Sequence, residues 1–190
     1  MNYLLVGNGS VQNLEYVSQK CDSIIQINTC RHALALPVEK THHIFISNMG
    51  DKVSVPLCDA IVNQRALLCH ASVILARNPY FYTSKRFMLQ MQDWNNAQAD
   101  YRLTDAWQRL KEGWKIDRVS FLSSMRLEFK LRRLGMRYAM MPSTGMIAYD
   151  WLLQRLNPED TLTIEGFSFE GWSGHPWAIE GQLIRAMTAR

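Results

Sequence analysis

The sequence predicts an α/β fold, a mainly parallel sheet with helices on both of its faces. Three observations predict it. Short apolar runs recur at residues 3–6, 23–28, 43–47 and 71–76, and such runs suit strands buried on both sides. Segments with helical spacing alternate with them, the pattern that builds a parallel sheet. No internal repeat, low-complexity tract or linker interrupts the 190 residues, so residues 1–190 are expected to form a single domain.

Taken in order, "YLLV" (3–6) is a buried strand feeding a tight Gly7-Asn8-Gly9 turn, and residues 11–20 form a helix. "SIIQIN" (23–28) and "HIFIS" (43–47) are the next strands, followed by a helix over 59–69 and the strand "ASVILA" (71–76). Helices are expected over 82–93 and 101–113, and a strand at "RVSFL" (118–122). Met125, Phe129 and Arg133 stand at helical spacing within a helix over 123–134, and "YAMM" (138–141) is a brief extended piece before Pro142. A helix over 144–156, a strand over 161–166 and a closing helix around 177–188 complete the chain.

A content of 47% hydrophobic and 20% charged residues excludes a disordered chain. The formal net charge of +4 is a mild excess. It fits an anionic ligand, an anionic acceptor or a membrane surface, and does not argue for nucleic acid. Cys21, Cys30, Cys58 and Cys69 form no Cys-x-x-Cys pair, which speaks against a zinc site and for free thiols in a reducing compartment. The chain opens into a strand without a basic, apolar leader, and no stretch is long enough to span a bilayer. A cytoplasmic location follows as an expectation.

In an open α/β sheet, ligands bind beyond the carboxyl ends of the strands. The turn at Gly7, Asn8 and Gly9, the strand end at Asn28 and the loop after Gly166 are therefore candidates for one site. Each also has a plain structural reading. The Gly-Asn-Gly turn lacks the third glycine of a dinucleotide fingerprint and the Lys-Ser/Thr ending of a P-loop, and Asn28 is a common turn former. Neighbouring His42 and His43 point to opposite sides of a strand, which disfavours joint metal binding. Arg126, Lys130, Arg132, Arg133 and Arg137 make a solvated helix face, or one that touches an anionic membrane or acceptor. There is no Asp-x-Asp pair for a diphosphate-bound cation and no Gly-x-Ser-x-Gly elbow for a serine hydrolase.

"PSTGM" (142–146) puts Ser143, Thr144 and Gly145 where a helix begins. They read either as ordinary caps or as an anion site, because the first turn leaves backbone N–H groups unpartnered at the positive end of the helix dipole. In "HPWAIE", His175 precedes Pro176, a favoured first helical residue, and Glu180 follows five positions on. His175 is either a capping or core histidine or a proton acceptor.

Together and in this order, the segments resemble the sialyltransferases of the animal type, glycosyltransferase family 29. "LLVGNGSVQNLEYVSQKCDSIIQIN" resembles the large sialylmotif and "KTHHIF" its downstream Thr-Thr-His-His-Phe. "PSTGMIAYDWLLQRLNPEDTLTIEGF" resembles the small sialylmotif, and "HPWAIE" the His-x-x-x-x-Glu very small motif. Roughly half the chain is covered. The resemblance implies a Rossmann-like domain of the GT-A-like variant type. It implies inverting transfer of sialic acid or a related 2-keto sugar acid (Kdo) from a CMP-sugar donor to a glycan or lipid-linked saccharide acceptor, without metal or cofactor. Nucleic acid is not among the expected partners, and peripheral contact with the inner membrane face is.

Carried over by position, Asn8 and Asn28 contact the CMP portion. Ser143, Thr144 and Gly145 meet the phosphate or the sugar carboxylate, Gly166 and Phe167 shape the cytidine pocket, and His175 is the general base. Glu180 reads as orienting its loop or interacting with the helix rather than acting chemically. The chain departs from the family pattern at Gln26, where the family has Arg, and at Tyr3, where it has the cysteine of a linking disulfide. No third motif with its phosphate-contacting histidine is evident, which leaves Trp172 and Ser173 as the nearest polar groups. That gap supports an alternative, a catalytically inactive protein that binds CMP or another nucleotide.

Overall fold

A computed structural model describes residues 1–47, 71–82, 84, 114–171 and 173–188. Among them, six strands form one parallel sheet in the order β5-β4-β3-β2-β1-β6. The strands are β1 (Asn2–Val6), β2 (Ser23–Ile27), β3 (Thr41–Ile46), β4 (Ser72–Leu75), β5 (Ile116–Arg118) and β6 (Thr161–Glu165). The α-helices among the described residues are α1 (Leu14–Gln19), α2 (Phe121–Arg133), α3 (Thr144–Leu153) and α4 (Trp177–Thr188). The fold is the α/β, Rossmann-like architecture that the alternating apolar runs predict.

The two-residue period of a strand divides these apolar runs between two cores. Leu4, Val6 and Ile24 pack on one face with Leu14 of α1, Cys21 and Leu36. Leu5, Ile25, Ile27, Phe45 and Ile74 pack on the other with Leu127 and Leu131 of α2, Ile147 and Leu152 of α3, and Ile184 of α4. Helices therefore cover both faces, which is why the central strands are apolar on consecutive residues.

Local chemistry sets the helix starts. Ser120 accepts a hydrogen bond from Ser123 N (3.1 Å) and opens α2, and Ser143 accepts one from Met146 N (3.1 Å) and opens α3. Glu180 N bonds Pro176 O (3.0 Å) in the first turn of α4. No helix among the described residues is long and apolar enough to cross a membrane.

Several boundaries differ from the sequence reading. The strand expected at 118–122 lies at Ile116–Arg118, and Ser120 caps a helix where that strand was to continue. Residues 138–141 form a turn and an irregular approach to Pro142 rather than an extended piece. Asn13, in a left-handed conformation (φ 55°), delays the first helix to Leu14. The expected helices over 59–69, 82–93 and 101–113 lie outside the described residues, apart from Tyr82 and Ser84.

Strands β1 to β5 extend the sheet in one direction, and the chain then returns to add β6 on the free side of β1. The β1/β6 boundary is the topological switch point, where the loops leaving the strands' carboxyl ends diverge to opposite faces.

Leu5 is fully buried in the three-helix core. Leu5→Ala should lower unfolding free energy by about 2–5 kcal/mol, read from urea denaturation; a loss under about 1 kcal/mol would contradict this packing.

Candidate functional site

At the switch point, the loops after β1 and β6 lock together through backbone. Gly7 N donates to Glu165 O and Gly9 N to Gly166 O, each at 2.8 Å. A Cβ on Gly7 would lie 2.3 Å from Gly166 O, so this position admits only glycine without moving main chain. Gly7 and Gly166 are thus explained by this close approach. The loop after β6 then sends the Phe167 ring over the first turn of α3. A methyl on Gly145 would come within 2.5 Å of that ring, and Phe169 lies behind it at 6.0 Å between ring centroids.

The entrance to α3 is held from α4 and its leading loop. Glu180, 1% exposed, accepts from Ser143 N through Oε1 and from the Ser143 hydroxyl through Oε2, both at 2.7 Å. The same hydroxyl accepts from Met146 N. Two anion-binding donors of the helix entrance are therefore engaged with the protein's own carboxylate. The amides of Thr144 and Gly145 are the first-turn donors not taken by these bonds.

His175 holds the same segment one step earlier. Its Nδ1 lies 2.7 Å from Met141 O, and Met141 N donates to Gly174 O at 2.9 Å. A carbonyl oxygen only accepts, so the proton sits on Nδ1 and Nε2 is the basic nitrogen of the neutral ring. The Trp177 ring meets the imidazole edge to face at 4.9 Å. The five-residue spacing from His175 to Glu180 is thus the spacing of a clamp. Pro176 stands just before Trp177, the first residue of α4, and the two side chains grip Met141 and Ser143 from either side of its first turn.

A buried cation completes the cluster. Arg77, just beyond the carboxyl end of β4, is 3% exposed and donates from Nη2 to Pro142 O at 2.8 Å. Its guanidinium lies 5.3 Å from the Tyr82 ring centroid. Burial draws the His175 pKa down to about 4, and the Arg77 charge pulls in the same direction. Burial pushes the Glu180 carboxyl up, while the two Ser143 hydrogen bonds and Arg77 oppose that. The imidazole is therefore neutral at physiological pH.

The other expected site residues sit on the same edge of the sheet, in neighbouring loops. The Asn8 amide oxygen accepts from Thr29 Oγ1 (3.2 Å) and Arg31 N (3.4 Å). Asn28 adopts a left-handed conformation (φ 55°), bonds Phe45 O through its N–H (2.7 Å) and accepts from Ser47 N through Oδ1 (3.0 Å). Both side chains tie loops together through their amide oxygens. Gln26 is buried and donates to Thr41 Oγ1 (3.2 Å). Ser173 is exposed, and Trp172 lies outside the described residues.

Away from this edge, His42 bonds Ser23 Oγ (2.9 Å) and His43 packs edge to face on Trp151 at 5.1 Å. Among the described residues no group of three or more His, Cys, Asp or Glu is placed to hold a metal ion. Cys21 and Cys30 are buried free thiols, and burial pushes Cys30 up to about 12.

Arg77 is the member of the cluster that sequence reasoning missed. Its signal was a lone cation directly after the apolar run "SVILA", at the edge where open α/β sheets bind ligands. Comparison of the chain with protein-family profiles, curated proteins and solved structures returns no match.

The depressed His175 pKa sets an acid sensitivity. The unfolded chain takes up a proton at the ordinary 6.5 and the folded chain only near 4. Stability from this group is full above the first value and falls as pH drops toward the second. His175→Asn keeps a donor for Met141 O and removes the titration. Urea unfolding at about pH 7 and about pH 5 should show a smaller acid loss in the variant; equal losses would contradict a neutral, buried imidazole.

Proposed function

We propose that this chain is a metal-independent inverting glycosyltransferase that moves sialic acid or a related 2-keto sugar acid such as Kdo from its CMP donor to a hydroxyl of a glycan or lipid-linked saccharide. The supporting observation is the clamp: a neutral imidazole, with Nδ1 fixed on Met141 O, stands beside a helix entrance that retains the Thr144 and Gly145 amides as donors.

In this reading the acceptor oxygen attacks the anomeric carbon as its proton passes to His175 Nε2. The bond from that carbon to the phosphate oxygen breaks, and CMP leaves as its phosphate goes from monoanion to dianion. The two helix amides, the α3 dipole and the Arg77 charge favour that gain of negative charge without a cation. Arg77 takes the electrostatic part that the family resemblance assigns to a third-motif histidine. Phe167 offers a ring face to the cytosine, and the Nδ2 groups of Asn8 and Asn28 are donors for the ribose or base. A pKa near 4 makes the free imidazole a weak base. An incoming phosphate would raise it by favouring the imidazolium.

One observation favours the alternative, a catalytically inactive CMP- or nucleotide-binding protein. Glu180 already satisfies the Ser143 N–H and hydroxyl, so Ser143 acts as a structural cap in the ligand-free chain.

A thermal-shift series with CMP, CDP, UDP and GDP tests the donor class, with CMP expected to raise Tm most. His175→Ala should retain the CMP shift while CMP release from the sugar donor falls about a hundredfold or more, and EDTA should change neither. Unchanged turnover in His175→Ala would refute the base assignment. A CMP shift without turnover on a broad acceptor panel would favour the inactive reading.

A further inference from the structure

Helix α2 is apolar on two opposite faces. Its inward face buries Leu127 and Leu131. On the outward face, Leu122, Met125 and Phe129 recur at positions i, i+3 and i+7 and are 69%, 47% and 62% exposed. A surface helix normally carries polar side chains there. These three form a continuous ridge instead.

The charges beside the ridge are one-sided. Arg126 and Arg133 share the ridge's side of the helix, and Arg133 lies 5.7 Å from the Phe129 ring centroid. Lys130, Arg132 and Arg137 add three more cations around this helix and the turn that follows it. Among the described residues, the two carboxylates that pair with them are buried. Asp150 of α3 receives Arg126 (3.4 Å) and Lys130 (3.6 Å), and Glu128 receives Arg132 (2.7 Å). Among the described residues, three of the five cations pair with two buried carboxylates, which leaves the outer surface of α2 net positive.

We propose that this face of α2 docks on an anionic lipid bilayer. An apolar ridge flanked by arginines is the design of a helix that lies in the membrane interface: the ridge enters the acyl boundary and the guanidinium groups stay with the headgroup phosphates. The ridge begins at the carboxyl edge of the sheet. Phe121, at the start of α2, packs on Phe81 at 5.5 Å between ring centroids, and Phe81 follows β4 on the same segment as Arg77. The docked helix would therefore hold the candidate site's edge near the bilayer, where a lipid-linked acceptor is presented. The docking itself stands whether or not the chain transfers a sugar.

Co-sedimentation of the full chain with vesicles of mixed phosphatidylglycerol and phosphatidylcholine, against pure phosphatidylcholine, tests this. Binding is expected to the anionic vesicles alone and to weaken as salt rises. Leu122→Ser combined with Phe129→Ser should cut partitioning about tenfold or more, and Arg133→Glu combined with Arg137→Glu should do the same. All four positions are exposed, so far-UV circular dichroism and the urea midpoint should stay near wild type. Failure to bind anionic vesicles, or binding that both double variants retain, would overturn the proposal. So would concentration-dependent self-association that the Leu122→Ser, Phe129→Ser variant abolishes without altering vesicle binding, since the ridge would then be an interface between copies of the chain.

Discussion

Three side chains gripping three consecutive residues set the geometry on which the candidate site depends. His175 bonds the Met141 carbonyl, Arg77 the Pro142 carbonyl, and Glu180 the amide and hydroxyl of Ser143. Residue 144 then starts α3. These bonds fix the direction in which the helix's remaining first-turn amides point and the tautomer of the imidazole. They also hold a cation, a carboxylate and a neutral base within one buried cluster. Removing one charged partner from such a buried cluster costs about 3–5 kcal/mol, because the charge left behind is uncompensated.

The cluster's electrostatics follow from burial more than from any single contact. Desolvation works against both the imidazolium and the carboxylate, and Arg77 reinforces one effect while offsetting the other. The result is an imidazole kept neutral and a helix entrance where positive potential is partly compensated by Glu180.

Much of the architecture was legible because it rests on simple periodicities. Apolar runs such as Ser23–Ile27, too short for a buried helix, read as strands covered on both sides, and the structure assigns their alternate residues to two cores. The failure at 118–122 has a clear cause. Phe121 and Leu122 are apolar for the outer face of a helix, whereas the true edge strand, Ile116–Arg118, carries Asp and Arg and lacks the apolar signature. At the site, the Pro-Ser-Thr-Gly entrance and the His-x-x-x-x-Glu spacing were visible as separate features. That they are halves of one clamp was not, because the contact joins residues 34 and 37 positions apart. Arg77 was hidden for the same reason. The glycines after β1 suggested ligand approach, yet Gly7 is required by the Gly166 carbonyl, a constraint that no local pattern encodes.

The most direct test of the clamp is a pH titration of the His175 ring by nitrogen–proton NMR, which reports tautomer and protonation together. The geometry requires the Nδ1–H tautomer and a midpoint near 4, well below the ordinary 6.5. An Nε2–H tautomer, or a midpoint at the ordinary histidine value, would mean that the Met141 carbonyl does not hold this ring and that the site is not built as described.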